Sequence, residues 1–312
     1  MIRIALAGCG CWGNTVLKAI LRTPGIELVS VYDKNPKQLE QVRRAYGNSF
    51  SYAGNYQELL DDASIDAVAL TVSTGAHFEM AEQALFAGKH IFIEKPFTET
   101  LEQAERLYEL AKEKDCLIHV DHIMLYHPAV RKMKELLEKK SLGEIRYIEM
   151  RRTSFGGERS DITVLQDLTV HDLSIIDYLT DGAEPVVVRS IGEKLGYSHT
   201  SIAFTLLKYP GFSAELTASW VSPVKERKIC LGGTEKTLVF DEIFAPDKLM
   251  IYNNDTDDLR IIKPEAGNAL DNSLEHFCAC VDSGTNSLTD AASAIRIMKI
   301  LITAQIQILA QL

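Results

Sequence analysis

Residues 2–13 read Ile2-Arg3-Ile4-Ala5-Leu6-Ala7-Gly8-Cys9-Gly10-Cys11-Trp12-Gly13. A short apolar run ends on glycines spaced Gly-x-Gly-x-x-Gly, and a helical pattern opens at Asn14. Each glycine meets a separate demand: the first permits a tight turn, the second lets a pyrophosphate approach the backbone, and the third lets helix and strand pack closely. The unpaired N–H groups and dipole at the start of that helix then suit a phosphate. The second strand gives the loop its meaning. This second apolar run ends at Asp33, 20 residues after Gly13, where a carboxylate accepts hydrogen bonds from the adenosine ribose hydroxyls. A turn role ahead of Pro36 is the plainer reading of the same residue. A 2′-phosphate would meet like charge at Asp33, which favours NAD over NADP, with Lys34 and Lys37 the residues that speak for NADP.

Working outward, residues 1–120 alternate apolar runs with amphipathic segments. Strands are predicted over 2–7, 26–32, 66–72, 90–93 and 117–120, with a short one near Phe50. Helices fall between them, at 14–22, 36–46, 56–60, 77–86 and 101–114. Thr100 and Gln103 read as a capping box, and Gly88 as a helix stop. Strand and helix in this order make a doubly wound parallel sheet, an α/β Rossmann domain. After residue 120 the pattern changes to helices over 128–139 and 165–179, a strand over 144–152, and then a run of strands between 186 and 252. Helices over 272–280 and 291–312 close the chain. This predicts an α+β domain over 121–312 with a mostly antiparallel open sheet. Ala214, Leu216, Ala218 and Trp220 alternate with polar residues, so the sheet has two unlike faces. The polar-leaning face meets either water or another subunit, and the expectation is a homodimer or homotetramer through this open sheet.

Two further stretches carry chemistry. Glu94-Lys95-Pro96 ends the strand Ile91-Phe92-Ile93, at the carboxyl edge where open α/β sheets place ligands. An ammonium there stabilises alkoxide character on a substrate oxygen; a surface lysine paired with Glu94 is the plainer reading. In Asp167-Leu168-Thr169-Val170-His171 the spacing of four puts Asp167 and His171 on one helical face, with Ser174 and Tyr178 continuing it. An imidazole titrates near neutrality and suits interconversion of hydroxyl and carbonyl; a helix cap or core histidine is the alternative. Arg151, Arg152 and Arg159 cluster ahead of that helix and suit a substrate phosphate or carboxylate, or else a solvated strand end.

Composition narrows the class. A formal net charge of −10 disfavours a nucleic-acid binder. The start of the chain lacks the pattern of a signal peptide, and no run reaches the roughly 18 apolar residues of a membrane span, so the expectation is a cytoplasmic protein with no membrane partner. Cysteines at 9, 11, 116, 230, 278 and 280 are too sparse for a disulfide framework, and their Cys-x-Cys pairs do not match metal spacing. No metal is expected.

With Gly8 to Gly13, Asp33, Glu94-Lys95-Pro96 and Asp167 to His171 in order, the sequence resembles the glucose–fructose oxidoreductase, inositol dehydrogenase and MocA family along essentially its whole length. Leu125-Tyr126-His127-Pro128 through Gly143-Glu144-Ile145 resembles the family's domain junction. The Gly-Cys-Gly-x-Trp-Gly loop and Val164 to Leu168 are similar to a branch tied to nucleotide sugars and deoxysugars. The resemblance implies catalytic roles for Lys95 and His171, with Asp167 a partner of substrate or lysine. It implies nucleotide contacts at Gly8, Gly10, Cys11, Trp12, Gly13, Asp33, Ser73, His77, Glu94 and Lys95, and substrate contacts at Lys95, Arg151, Arg159, Asp167 and His171. Val72-Ser73 stands where the family often has Thr-Pro, and Asp161-Ile162-Thr163 where it often has glycines. The implied activity is hydride transfer between nicotinamide and a secondary alcohol or ketone of a sugar, nucleotide sugar or cyclitol. The rivals are a sensor that binds NAD and sugar without chemistry, and an NAD-using glycoside hydrolase.

Overall fold

The computed structural model describes residues 1–156 and 162–311. They form two compact units that are not contiguous in sequence. The first holds Met1–Tyr126 and Asn268–Ile295, the second His127–Gly267 and Arg296–Leu312.

In the first unit six parallel strands are ordered β3-β2-β1-β4-β5-β6. They are β1 (Ile2–Ala7), β2 (Ile26–Tyr32), β3 (Ser51–Tyr52), β4 (Ala67–Leu70), β5 (His90–Ile93) and β6 (Ile118–Val120). The crossover helices are α1 (Cys11–Arg22), α2 (Pro36–Tyr46), α3 (Tyr56–Asp61), α4 (Thr74–Phe86) and α5 (Leu101–Glu113). The strand order reverses between β1 and β4, the switch point at which doubly wound sheets bind ligands. The capping box of Thr100 and Gln103 is formed, and Gly88 takes a φ of 72° just past α4. Helix α4 starts three residues before the sequence expectation, with Ser73 as its N-cap. Helix α8 (Ala269–Ser283) completes the core of this unit, with Leu270, Leu274 and Phe277 packed into the cluster that holds Ile4, Leu6 and Phe92. His119 of β6 is fully buried, with Ser273 and Ser287 at 2.9 Å from its two ring nitrogens.

The second unit is an eight-stranded sheet in the order β14-β13-β12-β11-β7-β10-β9-β8. Its strands are β7 (Ile145–Thr153), β8 (Val187–Glu193), β9 (Ile202–Lys208), β10 (Ser213–Ser219), β11 (Glu226–Gly233), β12 (Lys236–Asp241), β13 (Leu249–Asn253) and β14 (Leu259–Ile262). Among the described residues of this sheet only the β7–β10 pair is parallel. Helices α6 (Pro128–Glu138) and α7 (Val170–Leu179) belong to this unit, and α7 is preceded by a π-helical turn at Leu165–Thr169. β14 was not expected: four residues among acidic turns carry little periodic signal.

Helix α9 (Ala291–Leu309) corrects the reading of the membrane signal. It is long and apolar enough to span a bilayer by length and composition. Ile-rich turns keep its average high although Ser, Thr, Lys and Gln break every continuous apolar run. Ile297, Leu301, Ala304 and Ile308 form a buried stripe, and Gln307 binds Ser190 N–H and Val188 C=O of β8 at 2.9 Å each.

Candidate active site

The glycine loop joins β1 to α1. Gly8 sits at φ 100°, and a Cβ there would lie 2.6 Å from the Thr71 carbonyl oxygen. A Cβ on Gly13 would lie 2.1 Å from the Gly8 carbonyl oxygen, whereas one on Gly10 meets nothing within 4 Å. The first and third glycines are thus required by the protein's own packing, while the second leaves backbone open to a ligand. Gly10 is the N-cap of α1, with no side chain satisfying the first N–H groups, and Cys11 and Trp12 are exposed at its start. Asp33 is half-buried, accepting the Cys9 N–H at 2.6 Å on one oxygen and the Asn35 N–H at 2.7 Å on the other. Each oxygen keeps a further lone pair for a ribose hydroxyl. These features fit a dinucleotide. Cys9 is buried and its thiol pushed up to about 12 by burial and by Asp33, so it is inert.

At the carboxyl edge of β5, Glu94 is buried and accepts the Trp12 indole N–H. The Lys95–Pro96 peptide is cis. Burial first, and the neighbouring Asp121 second, hold the Glu94 carboxyl well above the usual range. Asp121 and His122, just past β6, are the same kind of residues one strand over. Asp121 accepts the Ser273 hydroxyl at 2.8 Å, and burial pushes its carboxyl up to about 6. His122 is held down to about 3 by burial and by the charge of Lys95, so it is neutral. Around Lys95 the chain therefore gathers two carboxyls that resist ionisation and an imidazole that resists protonation. Sequence reasoning passed over Asp121 and His122. The signal was available: titratable residues directly after an apolar strand, at the same sheet edge as Glu94-Lys95.

Ser73 is exposed, and its side chain makes no cap hydrogen bond. His77 is buried, one ring nitrogen lying 2.9 Å from the Pro96 carbonyl and 3.2 Å from that of Phe97, the other 3.2 Å from that of Val72. The ring stands between the segment after β4 and the turn after β5 and, held neutral by burial, donates its single N–H to a carbonyl of one of them.

In the second unit Asp167 lies in the π-helical turn, 9% exposed, and accepts the Trp220 indole N–H at 3.1 Å. His171 is half-buried on α7. The wider turn ends before His171, so one regular α-helix does not carry the spacing of four; such turns are frequent at functional sites. Ser174 is fully buried and donates to the His171 carbonyl at 2.7 Å, and Tyr178 receives Arg131 at 3.3 Å. Both have structural partners of their own. The expected arginine cluster divides, because adjacent strand residues point to opposite faces. Arg152 is buried against Asp172 at 3.0 Å, while Arg151 lies on the open face, 3.7 Å from Glu226. Arg159 lies outside the described residues, as does Asp161. Among the described residues no group of three or more His, Cys, Asp or Glu side chains is placed to hold a metal ion.

Two family models cover most of the chain: an oxidoreductase family model with an NAD-binding Rossmann fold matches residues 2–122, and a GFO/IDH/MocA C-terminal domain matches residues 130–239. The chain belongs to the GFO/IDH/MocA oxidoreductase family. Within this family it is 42% identical over 172 residues to UDP-N-acetylglucosamine 3-dehydrogenase of Acidithiobacillus ferrooxidans, a match spanning 53% of this chain and 50% of that protein. It is 27% identical over 314 residues to scyllo-inositol 2-dehydrogenase (NAD(+)) of Bacillus subtilis, covering 95% and 91% of the two chains. A solved structure of the Acidithiobacillus enzyme superposes with a TM-score of 0.88 at 28% identity, covering 99% of this chain and 98% of that one. GFO/IDH/MocA membership makes this chain an oxidoreductase with an NAD(P)-binding Rossmann unit.

Proposed function

We propose that the protein is an NAD-dependent dehydrogenase or reductase acting on a secondary alcohol or ketone of a sugar, nucleotide sugar or cyclitol. The observation that carries this reading is the open backbone at Gly10 beside the half-engaged carboxylate of Asp33. The Gly8–Gly13 loop with Cys11 and Trp12, Asp33, Ser73, His77 and Glu94 would hold the dinucleotide. Bound there, the nicotinamide supplies the carbon that accepts or returns a hydride. Lys95 stabilises negative charge on the substrate oxygen. His171 takes the hydroxyl proton, and returns it in the reverse direction. Asp167, fixed by Trp220, orients the substrate. Asp33 favours NAD because its carboxylate repels a 2′-phosphate. Similarity to a nucleotide-sugar dehydrogenase and an inositol dehydrogenase supports the substrate class.

Free cysteines among the described residues fit a reducing, cytoplasmic compartment. The open sheet face exposes Ile191, Phe204 and Leu206, with Ile191 and Phe204 directly paired, and supports a homodimer or homotetramer through that face.

The test is Lys95→Met assayed two ways, with NAD binding followed by protein fluorescence and NADH formation followed on a panel holding UDP-N-acetylglucosamine and inositols. Binding is expected within a few-fold of wild type and turnover below detection. Undiminished turnover would remove Lys95 from the mechanism. A wild-type protein that binds NAD and sugar yet forms no NADH would be a sensor, and release of free sugar without net NADH would be hydrolase chemistry.

A further inference from the structure

A cleft of about 550 Å³ opens in the second unit between α6 and the β12–β14 edge of the sheet. Leu136 and Ile251 line it with hydrocarbon, and Lys132, Lys139, Lys236 and Arg260 line it with positive charge. Strand register explains the convergence. Leu238 pairs with Ile251, Ile251 with Arg260, and Lys236 with Asn253. Alternation then places Lys236 and Arg260 on the same side as the buried Leu238, Ile251 and Phe240.

The four cations are not equivalent. Glu135 engages Lys132 at 2.7 Å and Lys139 at 2.5 Å, and these two bonds hold its carboxyl down to about 2. Lys236 and Arg260 have no side-chain hydrogen bond or ion pair among the described residues. Glu135 and Asp258 are the two carboxylates that line the cleft, and the Asp258 carboxylate accepts the Thr256 hydroxyl at 2.9 Å. The cleft therefore carries excess positive charge in a chain whose formal net charge is −10. Lys236 and Arg260 stand on strands separated by one other strand, about 10 Å apart at the strand spacing, and are offset by two residues along them. Two long cationic side chains at that separation suit the two ends of one ligand better than a single oxyanion. Arg supplies a planar fork and Lys a point charge.

We propose that this cleft is a binding site for a small organic dianion, a dicarboxylate or bisphosphate. Its anionic ends meet Arg260 and Lys236, and its apolar body lies on Leu136 and Ile251. The volume is in the range of small-molecule pockets. The inference does not rest on the proposed catalytic activity.

The intact protein, saturated with NAD to occupy the glycine loop, is titrated at fixed ionic strength with adipate, hexane-1,6-diol bisphosphate and hexanoate, followed by calorimetry and thermal shift. At least one dianion is expected to bind saturably at millimolar concentration or below, and hexanoate about tenfold or more weakly. The Lys236→Ala/Arg260→Ala variant is expected to keep the ligand-free melting temperature and lose about tenfold or more in affinity. Glu135→Gln, which removes a cleft carboxylate, is expected to tighten binding several-fold. A dicarboxylate or a bisphosphate binding alone identifies the source. The proposal is overturned if no dianion binds to the NAD-saturated protein, if hexanoate binds as tightly, or if the double variant binds as wild type does.

Discussion

Arg152 of β7 and Asp172 of α7 meet at 3.0 Å with 3% and 2% of their side chains exposed, so a charge pair is sealed inside the second unit beneath the helix that carries His171. Burial raises the Asp172 carboxyl while the guanidinium opposes it. Glu242 stands farther from Arg152, at 3.8 Å, so removing Arg152 takes from Asp172 the guanidinium hydrogen-bonded to it, which costs far more than the intact pair contributes. Arg152→Met is expected to lower unfolding stability by about 3–5 kcal/mol in urea denaturation of the intact protein. Arg152→Met/Asp172→Leu should recover most of that loss. A single-variant loss under about 1 kcal/mol would mean that water reaches the pair.

The three loop glycines should separate in mutagenesis. Gly8→Ala and Gly13→Ala drive a Cβ into backbone at 2.6 and 2.1 Å, and are expected to lower stability by about 1–3 kcal/mol as well as NAD affinity. Gly10→Ala has open space and should melt within a degree or two of wild type while losing tenfold or more in NAD affinity. A Gly10→Ala protein that binds NAD normally would move the pyrophosphate off this loop.

Asp33→Ser removes the acceptor for two backbone N–H groups and the negative charge facing the ribose. NAD affinity should fall about tenfold, equivalent to about 1.4 kcal/mol, while NADP affinity holds or rises. Dissociation constants for both cofactors decide it: an unchanged ratio would show that Asp33 serves the loop alone.

The carboxyls beside Lys95 give a pH dependence of definite sign. Asp121 is raised from 3.8 to about 6 in the folded protein, so between those values the folded state holds more protons than the unfolded state. Stability from this group is full at low pH and falls as pH rises through about 4 to 6, then levels. Glu94 shifts in the same direction, while Lys95, the Ser273 hydroxyl and the Trp12 indole oppose the rise. Asp121→Asn, neutral throughout, should flatten the slope of unfolding free energy against pH in that window. Identical slopes in both proteins would place the proton on another group.

Local signals were readable and spatial ones were not. The glycine spacing after β1, Asp33 at the end of β2 and the Thr100–Gln103 cap depend on contacts a few residues long or on strict periods, and the protein forms the turn, strand and cap as expected. The division of Arg151 from Arg152 was also legible, since the period of two in β7 already sends neighbours to opposite faces. The π-helical turn around Asp167 was not, because five residues are too short a stretch for the period to tell i→i+5 from i→i+4 bonding. Nor was the pairing of Asp167 with Trp220, 53 positions away. Asp121 and His122 gain their character from burial, which the strand end hints at but does not measure.

Helix α8 has one more consequence. Because Leu270, Leu274 and Phe277 fill the nucleotide-binding core and Ser273 and Ser287 flank His119, a fragment stopped at Tyr126 would bare a hydrophobic wound and strand a buried imidazole. The module is portable only if residues 268–295 travel with it, stitched back by a linker. Whoever wishes to graft this cofactor-binding half onto another enzyme must cut the gene in three places.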